Sequence, residues 1–308
     1  MPASITLTSE QIDRFHRDGF LAIDRITEVE EVARLRAGFD RLFATRAGRE
    51  RGKQFDLAGT DEEDRPAVLP QILDPVEFAP EFAQTQFRAN ALAIAQQLLG
   101  PEAERWFEHA ILKPAGYGAA TPWHQDEAHR NDPGVEYEQL SIWMPLQEAN
   151  AANGCMQFIP RSHRGPVLEH HSPNNDPRVT ALECIGAFDP AEAVLCPLPA
   201  GGATVHHCRT LHHAGPNVSA TPRRAYIIAF RGKMRPAPAF AGYAWNTAKQ
   251  TPAQARAEAW RKRGGAVAQG WRWAAGSTRR VIGKLRRAGG KVLRMMRSGR
   301  GRAKPGGG

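Results

Sequence analysis

The sequence of 308 residues has few cysteines, no long apolar run and no leader-like beginning. No apolar run reaches the roughly 18 residues that a membrane-spanning helix needs. The first residues, MPASITLTSEQ, lack the basic stretch and the apolar segment of a secretory signal peptide. The four cysteines form no CxxC pair, which argues against a zinc knuckle and a disulfide framework. We therefore expect a cytoplasmic protein.

Acidic residues are almost absent from the C-terminal segment. Residues 251–308 hold 16 Lys and Arg against a single acid, Glu258, so this segment has a charge of +15. Because the net charge of the chain is +9, the other 250 residues together carry −6. The basic pI therefore says nothing about the substrate of the body. We predict a folded domain over 1–250 and a basic, Gly/Arg-rich tail over 251–308.

Three readings of the tail stay open. It is a disordered extension, a basic amphipathic helix at an anionic membrane surface, or a contact for a polyanion or acidic partner. The apolar residues of 279–297, RRVIGKLRRAGGKVLRMMR, favour a helix, but the glycines within this stretch weaken that prediction. We expect no specific recognition of nucleic acid.

The N-terminal third has helical patterns. Thr8 to Gln11 forms a capping box before a first helix, and Thr27 to Glu30 forms another before a helix of roughly five turns. A short strand is predicted at 20–23, and a third helix from Pro80 to Leu99. Residues 48–68 are charged and contain glycine, which predicts a mobile loop.

From about Arg105 the pattern changes to short apolar runs separated by Gly, Pro and Asn turns. The runs are WFEHAILK, LSIWMPL, CMQFIP, ATVHHCRTLH and RAYIIAFRG. Such a pattern is typical of an antiparallel all-β sandwich or barrel. The predicted class is mainly β, with flanking helices at the N-terminal side.

A candidate metal site stands out in this β region. His124 and Asp126 are two residues apart, so on an extended backbone both side chains point to one face. His212 lies just before the turn Ala214-Gly215-Pro216-Asn217, where a barrel mouth would bring it close to the first two. Two imidazoles and a carboxylate suit Fe(II), Mn(II) and Zn(II) alike, and they leave positions of an octahedral metal open.

An arginine lies eleven residues beyond His212. Arg223 follows the turn and begins the next predicted strand, so two adjacent antiparallel strands would place it beside the metal. Its planar guanidinium binds a carboxylate through two hydrogen bonds. A metal with such a clamp beside it suits 2-oxoglutarate, which chelates iron at one end and presents a carboxylate at the other. Strand register favours Arg223 over Arg224, which points the opposite way.

Three segments together resemble the phytanoyl-CoA dioxygenase family: WHQDEAHR, LSIWMPLQEANAANGCMQFIPRSHRG and TLHHAGPNVSATPRRA. The resemblance runs from about Thr8 to Gly232 and leaves out the basic tail. It implies a double-stranded β-helix (jelly-roll, cupin-like) core that uses Fe(II), 2-oxoglutarate and O2.

Motif by motif, the resemblance implies roles for nine residues. His124, Asp126 and His212 fall on the iron ligands, and Arg223 falls on the 2-oxoglutarate clamp. Side chains that line or adjoin the cosubstrate pocket are implied at Gln125, Trp143, His109 and Gln71. His170 falls on a polar position at the active-site mouth, where it would meet substrate.

Other side chains have weaker claims. Glu127 could replace Asp126 only with a kink in the backbone. His206 and His213 are expected to face solvent or a neighbouring strand, and His207 to have a structural role. Lys113 is either a rim cation or a solvated strand end.

The resemblance implies hydroxylation of an aliphatic C–H bond of a small molecule, with release of succinate and CO2. Related halogenases have a small residue in place of the carboxylate, so the retained Asp126 favours hydroxylation. Two alternatives stay open: a degenerate jelly-roll scaffold that acts through its tail, and a Zn or Mn enzyme with non-redox chemistry. We expect deletion of 251–308 to leave uncoupled succinate formation intact. The sequence does not identify the substrate.

Overall fold

The computed structural model describes residues 5–263 of the chain. The chain divides into two compact units, Met1–Ala257 and Glu258–Gly308. All the sheets of the described residues lie in the first unit, and residues 252–257 are helical at its end. In the second unit residues 258–263 are helical, with an ion pair of 2.7 Å between Lys262 and Glu258. The stretch 279–297, for which an amphipathic helix is one of the open readings, lies outside the described residues.

Four helices are named here: α1 Ser9–Asp18, α2 Val29–Ala44, α3 Gln86–Leu99 and α4 Ala244–Thr247. The strands are β1 Phe20–Ile23, β2 Gln54–Asp56, β3 Pro70–Leu73, β4 Glu104–Lys113, β5 Thr121–His124, β6 Gly134–Glu136, β7 Gln139–Pro145, β8 Met156–Phe158, β9 His170–His171, β10 Glu183–Cys184, β11 Val194–Cys196, β12 Ala203–His207, β13 His212–Ala214, β14 Arg223–Arg231 and β15 Arg235–Ala237. None of the helices in the described part has the length and apolar character required to cross a membrane.

The helix starts agree with the sequence in one case and differ in two. The capping box of α1 is confirmed: the Thr8 side chain accepts the Gln11 N–H, and the Gln11 side chain accepts the Thr8 N–H. The box predicted for α2 is wrong, because Glu28 occupies its N-cap and makes no side-chain cap. The third helix begins only at Gln86, after a separate 3-10 turn at Pro80–Phe82.

The buried carboxylate of Glu31 explains both differences, because it binds Thr27 before α2 and the first amides of α3. The Thr27 hydroxyl donates to Glu31 over 2.6 Å instead of capping its own helix. The Glu31 carboxylate also accepts the N–H groups of Gln86 and Phe87, at 2.7 and 2.8 Å. These are unpaired amides of the first turn of α3, where a negative charge is favourable.

Two antiparallel sheets form the body. The larger has seven strands in the order β1-β12-β7-β14-β4-β3-β2, and the smaller has four in the order β11-β8-β13-β5. The mainly β class and the double-stranded β-helix core are confirmed. Because side chains alternate along a strand, the large sheet separates two cores.

One face of the large sheet packs on α1, α2 and α3. Tyr226, Ile228 and Phe230 of β14 lie there, together with Ile142 of β7. The opposite face looks toward the small sheet, where Ile227 and Trp143 share a core with Met156 and Phe158. The site described below lies on this second face.

One predicted strand is two strands of different sheets. The run ATVHHCRTLH divides into β12, in the large sheet, and β13, in the small one. His212 and Arg223 therefore do not lie on adjacent strands, and that prediction is wrong. They face each other across the space between the sheets.

The predicted loop 48–68 contains regular structure. β2 lies within it, and the Asp56 carboxylate accepts the N–H groups of Val68 and Leu69, each at 2.9 Å. Asp61 is buried and pairs with Arg49 and with Arg256. The predicted loop is therefore wrong at 54–56, which form β2, and Asp61 joins the segment to Arg256.

Candidate active site

His124, Asp126 and His212 lie together where the small sheet meets the cavity. One ligand atom from each falls within 4.8 Å of the others. His124 ends β5, His212 begins β13, and the two residues are paired across these strands. Gln125 is extended, and Asp126 then begins a 3-10 turn that ends at His129. This turn points the carboxylate back at the imidazoles.

Both imidazoles have a fixed orientation. The Nδ1–H of His124 donates to the Pro122 carbonyl, and that of His212 donates to the Thr210 carbonyl, each over 2.8 Å. A backbone acceptor at Nδ1 leaves the Nε2 lone pair as the metal-binding atom. The Asp126 Oδ1 atom is 3.6 Å from His124 Nε2 and 3.4 Å from His212 Nε2. Three donor atoms thus converge on one point.

The two oxygens of Asp126 have different surroundings. Oδ2 accepts a hydrogen bond from the Ser141 hydroxyl at 2.6 Å and another from His206 Nε2 at 3.2 Å. Burial alone would raise the pKa of Asp126, but His212, His124 and His206 hold it well below its ordinary value. Asp126 is therefore an anion in the folded protein.

His206 faces the cavity, so the expectation that it faces solvent or a neighbouring strand is wrong. It is 2% exposed, lines the cavity, and its ring centroid is 4.4 Å from that of His212. The sequence contained a signal for Ser141, because it stands two residues before Trp143 in one strand and must share its face. Strand alternation offers the same signal for His206, which is an even number of residues from His212 in the predicted run.

Glu127 lies on the far side of the turn from the metal group. It is 4% exposed and pairs with Arg209 at 2.7 Å and with Arg130 at 3.2 Å. The Trp245 indole N–H and the Asn246 amide also donate to the Ala128 carbonyl, each over 2.9 Å. These contacts fix the turn from behind, so Glu127 has a structural role and is no rival ligand.

Arg223 lies on the large sheet and faces the same cavity. It is 1% exposed, and within residues 5–263 its Nε and Nη1 atoms have no hydrogen-bond partner. Burial lowers the pKa of Arg223 to about 9. Its guanidinium carbon lies 5.4 Å from the centre of the Trp143 ring. Arg224 points the other way and pairs with Asp40 at 2.5 Å.

A cavity of about 450 Å³ joins the metal group to Arg223 and continues outward. Gln71, His109 and Trp143 all line it, as do Trp106 and Tyr137. His109 Nδ1 and Gln71 Oε1 are 3.0 Å apart. Burial lowers the pKa of His109 to about 4, so the ring is neutral and its Nδ1–H donates to Gln71.

Gln125 and His170 do not line the cavity, contrary to the roles implied for them. The Gln125 amide donates to the Arg209 carbonyl at 2.7 Å and accepts the Leu168 N–H at 2.7 Å. His170 is 2% exposed and accepts the Gln125 backbone N–H at 3.1 Å, while its Nδ1–H donates to the Leu168 carbonyl at 2.8 Å. Both residues hold the backbone between the two ligands of the HxD motif. Contacts to backbone leave no mark in a motif, so the sequence could not reveal this role.

Lys113 is neither a rim cation nor a solvated strand end. It is fully buried, and its ammonium donates to the carbonyls of Ala119, Ala214 and Gly215, at 2.7 to 3.0 Å. Lys113 thereby joins β4 of the large sheet to the end of β13 in the small one.

Known proteins share this architecture. The family model described as phytanoyl-CoA dioxygenase (PhyH) matches residues 15–225. The ectoine dioxygenase of Bordetella parapertussis is 27% identical over 237 residues, which cover 73% of this chain and 75% of that protein. The probable alpha-ketoglutarate-dependent hypophosphite dioxygenase of Stutzerimonas stutzeri is 37% identical over 119 residues, which cover 37% of this chain and only 40% of that protein.

A solved structure adds a bound cosubstrate to this likeness. EvdO2 from Micromonospora carbonacea var. aurantiaca, complexed with 2-oxoglutarate, is 38% identical and superposes with a TM-score of 0.65. The match covers 78% of this chain and 97% of that one. Because the family model spans more than half of the sequence, the chain belongs to the phytanoyl-CoA dioxygenase family and is an Fe(II)- and 2-oxoglutarate-dependent oxygenase.

Proposed function

We propose that His124, Asp126 and His212 hold Fe(II), and that Arg223 binds the distal carboxylate of 2-oxoglutarate. In this site an aliphatic C–H bond of a small-molecule substrate is hydroxylated, and 2-oxoglutarate is converted to succinate and CO2. Two imidazoles and one carboxylate are the facial triad of non-heme Fe(II) oxygenases, which keeps positions open for cosubstrate and O2.

One observation carries this proposal: the guanidinium of Arg223 is buried and has no counter-charge within the described residues. Burying an unpaired charge is costly, so proteins rarely keep one without a ligand for it. Its cavity also holds the metal group. A ligand with one end at the metal and a carboxylate at the other end meets both requirements, and 2-oxoglutarate is such a ligand.

The bound iron and 2-oxoglutarate supply the oxidising chemistry, and the protein binds, orients and shields them. Arg223 neutralises the distal carboxylate, and the Trp143 ring packs beside the guanidinium. We propose that Gln71 and His109 contact the cosubstrate as a pair. The Nδ1–H bond of His109 occupies the Gln71 oxygen, so the Gln71 amide N–H groups and His109 Nε2 are left for a bound molecule.

The outer part of the cavity favours a substrate with an apolar or ring-shaped face. Trp106 and Tyr137 stand there with their ring centroids 6.2 Å apart, and the Tyr137 hydroxyl donates to Asp132 over 2.6 Å. A cavity of about 450 Å³ is within the range of small-molecule sites, which is roughly 300 to 1,000 Å³. The relatives named above act on different compounds, so family membership does not identify this substrate.

The decisive experiment measures succinate formed from 2-oxoglutarate by the purified full-length protein. We expect turnover that needs Fe(II) and O2 and is lost in Asp126→Ala, together with binding of the metal. A candidate substrate should raise this turnover and gain the mass of one oxygen atom. Unchanged turnover in Asp126→Ala would exclude the proposed ligand set. Absence of turnover in the wild type across a broad metabolite screen would favour the degenerate scaffold.

We further propose that the basic residues 251–308 contact an anionic membrane surface or polyanion, and that the protein acts in the cytoplasm. The charge of +15 in this segment supports the first proposal. Sedimentation with phosphatidylserine vesicles at low and high salt tests it, with neutral phosphatidylcholine vesicles as the control. Equal binding to both vesicle types would contradict an electrostatic contact.

A further inference from the structure

We infer that Ser141 and His206 are positioning residues that occupy one oxygen of Asp126 and so leave only the other for the metal. This inference rests on the proposed function, because it concerns the ligand set named there. Ser141 lies on β7 and His206 on β12, which are neighbouring strands of the large sheet. The two residues are paired across these strands.

The contacts divide the carboxylate into two halves. Oδ1 faces the Nε2 atoms of both ligand imidazoles, at 3.6 and 3.4 Å. Oδ2 faces away from them, toward the Ser141 hydroxyl at 2.6 Å and His206 Nε2 at 3.2 Å. A carboxylate only accepts hydrogen bonds, so both neighbours act as donors and His206 carries its proton on Nε2.

His206 is held in this orientation by packing more than by further hydrogen bonds. It is 2% exposed, and Nδ1 has no partner within residues 5–263. Its ring lies 5.3 Å from that of Phe158 and 4.4 Å from that of His212, measured between centroids. Within the described residues, the ring of His206 therefore makes its hydrogen bond to Asp126 alone.

The consequence concerns the positions of the metal that stay open. A carboxylate that chelates through both oxygens takes two coordination positions, and one that binds through a single oxygen takes one. Two donors on Oδ2 make chelation unfavourable, because at least one of the two hydrogen bonds must break before that oxygen can bind the metal. The donors also fix the rotation of the carboxylate, which prepares Oδ1 for binding.

The inference predicts weaker metal binding when the donors are removed. Partners that orient a metal ligand typically change affinity or activity by about 10- to 100-fold when they are mutated. We expect a loss of this size in Ser141→Ala and in His206→Phe, whose ring keeps the packing against Phe158. His206→Gln keeps an N–H at a similar reach and should restore most of the affinity.

Anaerobic titration of the full-length protein with Co(II) measures this affinity without turnover. Thr204→Val is the matched control, because Thr204 lies two residues before His206 on β12, is fully buried, and its hydroxyl has no partner within the described residues. It should bind Co(II) like the wild type. A second carboxylate oxygen on Co(II) would replace a bound water, so X-ray absorption should show the Asp126 carboxylate carbon closer to Co(II) in the double variant Ser141→Ala/His206→Phe than in the wild type.

The outcomes separate this inference from the proposed function. If the wild type and Asp126→Ala bind Co(II) equally, the proposed ligand set fails. If the wild type binds Co(II) through Asp126 but folded His206→Phe and Ser141→Ala bind equally tightly, only the present inference is overturned. If His206→Phe does not fold, equal Co(II) affinity in the wild type and Ser141→Ala, with the same distance from Co(II) to the Asp126 carboxylate carbon, overturns it as well.

Discussion

Buried charge at single residues decides the chemistry of this cavity. Arg223 is among the largest fully buried side chains of the described residues, yet its Nε and Nη1 atoms lack partners there. Its neighbour Arg224 pairs with Asp40 and with the Pro222 carbonyl. Strand alternation predicted this division correctly, because it requires only the period of two along an extended chain.

Replacing Arg223 by leucine tests the carboxylate clamp. Removing one partner of a buried, hydrogen-bonded charge pair costs about 2–5 kcal/mol, so we expect the KM for 2-oxoglutarate to rise by at least about 30-fold. The apo variant should unfold at the same temperature as the wild type or higher, because a desolvated charge has been removed. Assays at varied 2-oxoglutarate and thermal unfolding without ligand measure the two effects.

Arg224→Leu is the control for this substitution. It removes a guanidinium of the same strand from the opposite face of the sheet, so its KM for 2-oxoglutarate should match that of the wild type. If Arg223→Leu and Arg224→Leu gave equal KM values, Arg223 would not bind the cosubstrate.

At the scale of elements, the sequence predicted which segments form and missed where some of them end. The apolar runs of β4, β7 and β14 are predicted correctly, because an apolar run bounded by Gly, Pro or Asn turns is typical of a strand. The run that became β12 and β13 was taken as one strand, because its turn, Cys208 to Leu211, contains neither Gly nor Pro. That error made His212 a neighbour of Arg223, although alternation along the single predicted strand would have placed His206 on the same face as His212.

The start of α3 depends on a residue of another helix, which the sequence alone could not predict. We expect Glu31→Gln to destabilise the folded state by about 1–3 kcal/mol, because the carboxylate accepts charge-assisted hydrogen bonds from two backbone amides and a hydroxyl. Urea unfolding followed by circular dichroism measures this loss.

Glu30→Gln provides a matched comparison one position earlier in α2, on an exposed side chain. Its free energy of unfolding should stay within about 0.5 kcal/mol of the wild type, as is usual for surface substitutions. Equal losses of unfolding free energy in the two variants would show that stability depends on the negative charge of α2 and not on the contact of Glu31 with α3.

Among the described residues, buried neutral histidines make the folded state less stable in acid. Burial lowers the pKa of His109, His170 and His213 to about 4 and that of His129 to about 3, all from an ordinary value of 6.5. Between pH 6.5 and about 4 the unfolded chain therefore binds more protons than the folded one, so stability rises with pH in this window and is lost as pH falls.

We expect the free energy of unfolding of the metal-free protein to fall steadily from pH 7 to pH 4.5. His170→Gln should flatten part of this slope, because it removes one of these titrations at a site outside the cavity. Urea unfolding at several pH values measures both slopes. A stability that stays level across this range would contradict the burial of these rings as neutral groups.

The folded body extends past residue 250, because a boundary there would cut through contacts of the first unit. Arg256 pairs with the buried Asp61, and Ala253 and Thr251 are themselves buried. Asp61 belongs to the segment that also contributes Phe55 and Leu57 to the cavity. The composition of the sequence changes near residue 251, so it predicts where the basic segment begins. It does not predict where the packed part of the first unit ends.

Two truncations separate these boundaries. Deletion of 264–308 should leave the melting temperature and uncoupled succinate formation unchanged, whereas deletion of 251–308 should lower the melting temperature, because Asp61 loses Arg256. Arg256→Met alone should reproduce part of that loss, since it removes one of the two cations that face a buried carboxylate. Lys262→Met, which breaks an exposed pair with Glu258, should not. If both truncations had the same melting temperature, the contacts of 251–257 would add nothing to stability.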